Sequence, residues 1–165
     1  MNFTKTTTVA AAVVLLAGPV AAQTVGIGTT AKGATSQVTA AIASVVSKFG
    51  GMQMRPSPMA GTQKYIPAVN SGSLEFGAAN IMQTTWAIKG QVLSKGLPNP
   101  NIKLVSTLMK FRVGPLVGKK TSFQSVSDLK GLKAPTGFKA APLFNELISA
   151  ALATKNLTIA DTKNV

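Results

Sequence analysis

Residues Thr24 to Met54 read TVGIGTTAKGATSQVTAAIASVVSKFGGMQM. The run divides into a predicted strand over Val25 to Gly28, a loop of small and hydroxyl residues from Thr29 to Ser36, and a helix over Gln37 to Phe49. A Gly50-Gly51 stop and a second strand from Met52 follow. Strand, loop, helix, strand is the opening βαβ unit of an α/β domain. In such a unit the loop leaves the carboxyl end of the strand and brings backbone N–H groups to a helix N-terminus, a place to hold a small anion.

Composition narrows the chemistry. The 165 residues suffice for one ordinary domain with a real core and are short for two. At 45% hydrophobic and 13% charged, the chain suits a compact fold rather than disorder. It has no cysteine and no histidine, and its 4 acids are Glu75, Asp128, Glu146 and Asp161. Disulfides, thiolate metal sites, Ser-His-Asp chemistry and paired-carboxylate catalysis all need residues that this chain lacks or hardly has. The composition therefore argues against an enzyme and implies neither metal nor cofactor.

The first 22 residues read as a signal peptide, with Lys5 in a basic start, Val9 to Ala17 as the apolar stretch, and Pro19 to Ala22 as a small-residue cleavage site before Gln23. The apolar stretch is about half the ~20 residues that a membrane span needs. Export to the periplasm is expected. The net charge of +13 is carried by scattered cations, with Lys119-Lys120 the one adjacent pair of lysines, and the chain has one Trp and one Tyr to stack on bases. That pattern favours a solvated basic surface that attracts anionic ligands or an acidic partner over a nucleic-acid interface.

Further along, Met52 to Arg55 reads as a strand ended by Pro56 and Pro58. A second helix starts at Gly61-Thr62, where Thr62 can act as N-cap, and runs toward Asn70 with Pro67 expected to kink or shorten it. Leu74 to Ala79 is a third strand, and a helix carrying Gln83 and Trp86 follows Asn80. In a parallel sheet the loops at Thr29-Thr30, Pro58 to Thr62 and Asn80 to Gln83 would meet at one edge, where ligands bind in open α/β sheets. Leu93 to Asn101 reads as a surface linker, and the runs Ile102 to Met109 and Gly114 to Lys120 read as two further strands. A short helix around Ser127 and Asp128, a strand at Leu132 to Ala134, a Thr-Gly loop and an apolar-faced helix through Leu143, Leu147 and Leu152 repeat the first design. Trp86 and Phe111 are expected in the core.

Three segments together carry a family resemblance. Gly28 to Ser36 resembles a strand running into a Gly/Thr-rich loop of the form G-T-G-x-x-G-x-x-Y. Gly61-Thr62 and Gly72-Ser73-Leu74-Glu75-Phe76-Gly77 resemble a Gly-Ser/Thr turn, a helix and then G-x-x-D-F/L-G. Ser125 to Gly131 matches S-x-x-D-L-K-G. In this combination, over about Thr24 to Thr158, the chain resembles the N-terminal part of the TAXI family. These are the periplasmic solute-binding subunits of tripartite ATP-independent periplasmic (TRAP) transporters.

The resemblance implies an α/β, periplasmic binding protein type II-like fold, with a first lobe plus an incomplete second lobe. Residues 1–22 would be the signal peptide, 23–100 the first lobe (βαβαβα) and 101–165 the start of a second lobe that is cut short. It implies a receptor that captures a small organic anion, a dicarboxylate or an amino acid, and hands it to the membrane permease. The lobes would close about hinges near Lys95 to Ile102 and Met109 to Val113. Thr29, Thr30, Thr35 and Ser36 would line the crevice from the first loop, Gly61 and Thr62 from the second, and Asn80 and Gln83 from the third. Thr136, Gly137, Phe111 and Arg112 would close from the opposite lobe. Two alternatives accompany this reading: a receptor for an ATP-driven (ABC-type) importer, and a truncated, non-functional fragment of a receptor. A half-built second lobe would expose edges and apolar faces, so marginal stability is expected.

Overall fold

A computed structural model describes residues 23–139 and 141–164; the expected signal peptide, residues 1–22, lies outside the described residues. The fold is α/β with parallel sheets. Its first sheet has the order β2-β1-β3, with β1 at Thr24–Thr30, β2 at Gln53–Met59 and β3 at Phe76–Gly77. Both pairings are parallel, and Thr30 lies opposite Met59 while Gly28 lies opposite Gly77. The helices α1 (Ala34–Phe49), α2 (Thr62–Ser71) and α3 (Ile81–Lys89) follow β1, β2 and β3 in turn. A second, two-stranded parallel sheet pairs β4 (Lys133–Ala134) with β5 (Lys163–Asn164), and α4 (Leu143–Ala153) lies between them in sequence. No helix among the described residues is long and apolar enough to cross a membrane.

Alternation along β1 explains how its two faces are covered. Val25 and Ile27 are buried with Ala43 and Met54, flanked by Ile42, Val46, Met52 and Phe76. The buried seam of α1 is Thr39 and Ala43, whose small side chains allow close packing, and Thr39 Oγ1 donates to the Thr35 carbonyl (2.7 Å). Val45 and Phe49, which share the helical apolar spacing, are 57% and 75% exposed and lie outside the seam. On the other face of β1, glycines make room for one ring. A Cβ on Gly28 would come within 2.7 Å of the Tyr65 ring of α2, and one on Gly77 within 3.2 Å. Tyr65 is fully buried there.

The second strand does not end at its prolines. β2 runs through Pro56 and Pro58 because it is an edge strand. The Gln53 N–H donates to the Gln23 carbonyl toward β1, so alternate residues 54, 56 and 58 turn their backbone outward. Two of these are prolines with no N–H to leave unpaired, and the third, the Met54 N–H, donates to Ser47 Oγ of α1 (2.9 Å). The outer row of donors is thereby closed to another strand.

Other expectations are corrected. The helix after β1 begins at Ala34, not Gln37, so Thr35 and Ser36 occupy its first turn while Thr29 and Thr30 belong to β1. α2 continues through Pro67 to Ser71 and is closed by Gly72 in the left-handed conformation (φ 77°). The third strand contracts from Leu74–Ala79 to Phe76–Gly77, and the Glu75 carboxylate takes over the next rung by accepting the Gly26 N–H (2.7 Å). Leu93 to Asn101 is no free linker. The Asn99 N–H donates to the Ala87 carbonyl (2.9 Å), and the Asn101 N–H donates to Asn70 Oδ1 (3.0 Å), fastening the segment to α3 and α2.

The runs Ile102 to Met109 and Gly114 to Lys120 form no strands. They hold hydrophobic residues but find no pairing partner among the described residues, and a lone strand leaves its backbone groups unsatisfied. Phe111 is 51% exposed rather than in the core, and Leu116 is 99% exposed.

Candidate functional site

Because β1, β2 and β3 are parallel and in register, their carboxyl ends lie at one edge of the sheet. The three connections that leave this edge lead to the N-termini of α1, α2 and α3. Two of those N-termini carry no side-chain cap. α1 is preceded by Gly33 and α2 by Gly61, no acidic residue stands in the first turn of either, and no side chain bonds their first N–H groups. The first ladder bond of α1 runs from the Gln37 N–H to the Gly33 carbonyl (3.2 Å), which leaves the Ala34, Thr35 and Ser36 N–H groups outside the ladder. A Cβ at Gly33 would meet nothing within 4 Å, so the approach to this helix end is open. The third helix differs. Asn80 Oδ1 accepts the Gln83 N–H (2.9 Å), a side-chain cap that occupies α3's own terminus.

The hydroxyls of the first segment divide by depth. Thr29 lies on the α1 face of β1 with Val25 and Ile27, is 1% exposed, and its Oγ1 has no hydrogen-bond partner among the described residues. Such an orphan hydroxyl costs about 1–3 kcal/mol. Thr30 Oγ1 donates to the Lys32 carbonyl (3.0 Å), shaping the turn between β1 and α1. Thr35 and Ser36 are half-buried in the first turn of α1. At the second loop, Gly61 is the N-cap and Thr62 the first helical residue, which corrects the expected cap. The Thr62 hydroxyl shares a 3.3 Å hydrogen bond with the Tyr65 hydroxyl, which also donates to the Ala78 carbonyl. Burial raises the Tyr65 pKa, with the Thr62 contact opposing it, so the phenol stays protonated.

The structure thus brings Thr29, Thr30, Thr35, Ser36, Gly61, Thr62 and Asn80 to one sheet edge. Gln83, one turn into α3, is only 7% exposed and lines a cavity behind that edge. Thr136 and Gly137 follow β4, at the carboxyl end of the other sheet, where Gly137 has φ 75°. Phe111 and Arg112 lie in the exposed stretch between the sheets and are not gathered with the first seven.

Three of the four acids serve the backbone. Glu75 accepts the Gly26 N–H, Asp128 accepts the Gln124 and Ser125 N–H groups, and Asp161 accepts the Thr158 N–H and hydroxyl. Those N–H donors hold all three carboxyls below their ordinary pKa values. Asp128 and Ser125 form a capping box on the turn at Val126–Leu129, which is the physical content of the Ser125 to Gly131 motif. Sequence reasoning overlooked Glu75 as a strand surrogate and Asn99 as a buried anchor. The paired Gly26 and Gly28 were a signal that a large side chain closes on β1.

Two cavities lie away from the edge. One, of about 410 Å³, separates Met82 and Trp86 of α3 from Leu147, Ala150 and Ala153 of α4. The other, of about 260 Å³, lies between α2, α3 and residues 93–99. Neither is lined by Thr29, Thr30, Thr35, Ser36, Thr62 or Asn80.

No family model and no curated protein matches the chain. Among solved structures it is similar to the alkanesulfonate-binding protein SsuA from Xanthomonas axonopodis pv. citri bound to MOPS, with 21% identity and a TM-score of 0.42. The similarity covers 88% of this chain and 47% of that one, so this chain spans about half the length of that protein. A likeness of this degree leaves the function to the chain's own residues.

Proposed function

We propose that the chain is the ligand-recognising part of an exported solute-binding receptor, with a periplasmic binding protein type II-like fold. It takes a small organic anion, a dicarboxylate or an amino acid, at the carboxyl edge of the β2-β1-β3 sheet. The observation that carries this reading is the pair of glycine-capped helix N-termini, α1 and α2, at that edge. α1 presents open N–H groups and the positive end of its dipole, α2 adds its own dipole from a buried start with the Gln63 side chain against Gly61, and no first-turn acid opposes a ligand at either. Lys32 and Lys64 stand exposed beside the two termini and add to the attraction. The buried, unpartnered Thr29 hydroxyl lies one residue before the end of β1. The motif resemblance to TAXI proteins supports a permease of the TRAP type as the receiver, rather than an ATP-driven importer. Capture then requires no covalent chemistry, only closure of Thr136, Gly137, Phe111 and Arg112 over the edge from a second lobe.

The test is calorimetric titration of the exported form, beginning at Gln23, with dicarboxylates and amino acids, alongside thermal melts. A saturable solute that raises Tm supports the receptor. Ser36→Asp separates binding from folding. An acid in the first turn stabilises α1 by about 0.3–1 kcal/mol while repelling an anion, so Tm should rise as affinity falls at least tenfold. Unchanged affinity in that variant would move the site elsewhere. A second reading, a chain that keeps the recognition loops without closing on a solute, is favoured by the exposure of Leu104, Val105, Leu116 and Val117. It predicts no saturable solute in the same titration.

A further inference from the structure

We propose that residues 103–120 dock on an anionic lipid bilayer, where 103–110 lie on the surface as a short amphipathic helix. The stretch Lys103 to Lys110 reads KLVSTLMK. Spacings of three, four and seven residues put Lys103, Ser106, Thr107 and Lys110 on one side of a helix. The same spacing gathers Leu104, Val105, Leu108 and Met109 on the other side. In the structure this stretch forms neither helix nor strand, and those four hydrophobic residues are between 55% and 81% exposed. An isolated helix shorter than about 12–15 residues is marginal in water. The helical pattern is therefore realised only against a surface that takes its apolar side.

Charge selects the occupant. Residues 76–127 contain no acid, and the segment carries Lys103, Lys110, Arg112, Lys119 and Lys120. A second patch follows the first, with Leu116 99% exposed and Val117 52% exposed just before Lys119-Lys120. Those two lysines sit in a turn closed by the Thr121 N–H donating to the Gly118 carbonyl (3.0 Å). A second copy of the chain would bring the same cations against these, and three of its four acids are already engaged by its own backbone. A nucleic acid would satisfy the lysines and leave the apolar side in water. A bilayer with anionic headgroups takes both, phosphates meeting the lysines and the acyl boundary meeting Leu104, Val105, Leu108 and Met109. The contact stays in the interface plane, because an irregular backbone in the acyl core would leave its N–H and C=O groups unsatisfied. The inference needs neither Phe111 nor Arg112, which lie between the two patches.

The chain has no cysteine, so a single introduced cysteine carrying a polarity-sensitive fluorophore reports one position of the full chain. Leu104→Cys and Leu108→Cys sample the apolar side, and Ser106→Cys and Thr107→Cys the polar side. All four positions are exposed, so the fold does not depend on them. With vesicles of phosphatidylglycerol and phosphatidylcholine in equal parts, labels at 104 and 108 should shift to the blue and be quenched by acyl-chain spin labels. Labels at 106 and 107 should stay in water. Binding to pure phosphatidylcholine should be weaker by about tenfold or more, and Lys103→Gln or Lys110→Gln in the Leu108→Cys chain should each cost about fivefold on the charged vesicles. Four results overturn the inference. They are no shift at 104 or 108; equal shifts at 104, 106 and 108, the alternation of a strand; an equal shift with neutral vesicles; or a shift at 108 produced without lipid, by raised protein concentration or by DNA. The last would give the face to a second copy or to nucleic acid. The anion titration of the sheet edge contains no lipid, so either site can fail alone.

Discussion

The two halves of the chain use the same strand-helix-strand unit with opposite results. In the first, β1 and β2 are seven residues each, and α1 covers one face of β1 while Tyr65 of α2 covers the other. In the second, β4 and β5 are two residues each, and the stability rests on Leu143, Leu152 and Leu157 around α4. Between them, residues 103–122 are exposed throughout. The difference lies in strand length. A strand of two residues has one inward position to bury, whereas seven residues alternate enough apolar groups to hold a helix on each side.

The change expected to break the first half most strongly is Gly28→Val. Its Cβ would lie within 2.8 Å of the Tyr65 ring and of Tyr65 Cβ, so the variant should lose about 3 kcal/mol. Denaturant melts with hydrogen exchange should show β1, β2 and α2 losing protection together while α4 is unchanged. Loss of protection in α4 as well would mean that the two halves unfold as one unit.

Leu152→Ala makes the converse cut. Leu152 is fully buried, but its thin surroundings can collapse into the space, which puts the loss near the low end of such substitutions, about 2 kcal/mol. Exchange should accelerate from 126 to 164 and leave the Thr24–Thr30 strand protected. A smaller effect is expected from Asn80→Ala, which removes the α3 cap and should cost about 1 kcal/mol in the first half alone, read as a lower Tm.

Acidification sharpens the comparison without mutation. Glu75, Asp128 and Asp161 have pKa values lowered by the N–H groups they accept, so the folded state binds protons less readily than the unfolded one. Their stabilisation is present at neutral pH and is lost as pH falls through the folded values, below the ordinary carboxylate range. Glu75 acts on the first half and the two aspartates on the second, so Glu75→Gln should remove the acid transition only from resonances of Gly26 and Phe76. Glu75 and Asp128 are exposed and Asp161 is only partly covered, so the effect should be modest.

Much of the first half was legible in sequence. Gly50-Gly51 ended the first helix where expected, and the periodicity of 37–49 pointed to α1. The edge strand was misread at Pro56 and Pro58 because a proline forbids only the N–H on its own side. Which side faced β1 was a matter of register. The linker at 93–101 was misread because turn formers look alike whether they are free or fastened, and Asn99 and Asn101 find their acceptors on helices far earlier in the chain. The edge loops were legible as a group, since parallel βα units place every such loop at the same end. Thr29 and Gln83 were not individually legible, because only burial shows that one hydroxyl lacks a partner and that the other side chain turns into a cavity.

By itself the sequence determined the class of fold, the order of its units and a chemistry without histidine, cysteine or paired acids. These follow from local period, glycine and proline stereochemistry and the donor inventory of the side chains, all of which are properties of neighbouring residues. The tertiary structure decided which hydrophobic runs became strands, which glycines admit Tyr65, and which buried hydroxyl remains unsatisfied. Those outcomes depend on partners distant in the chain. A strand exists only when another backbone completes its hydrogen bonds, and a polar atom is free only when every neighbour is already engaged.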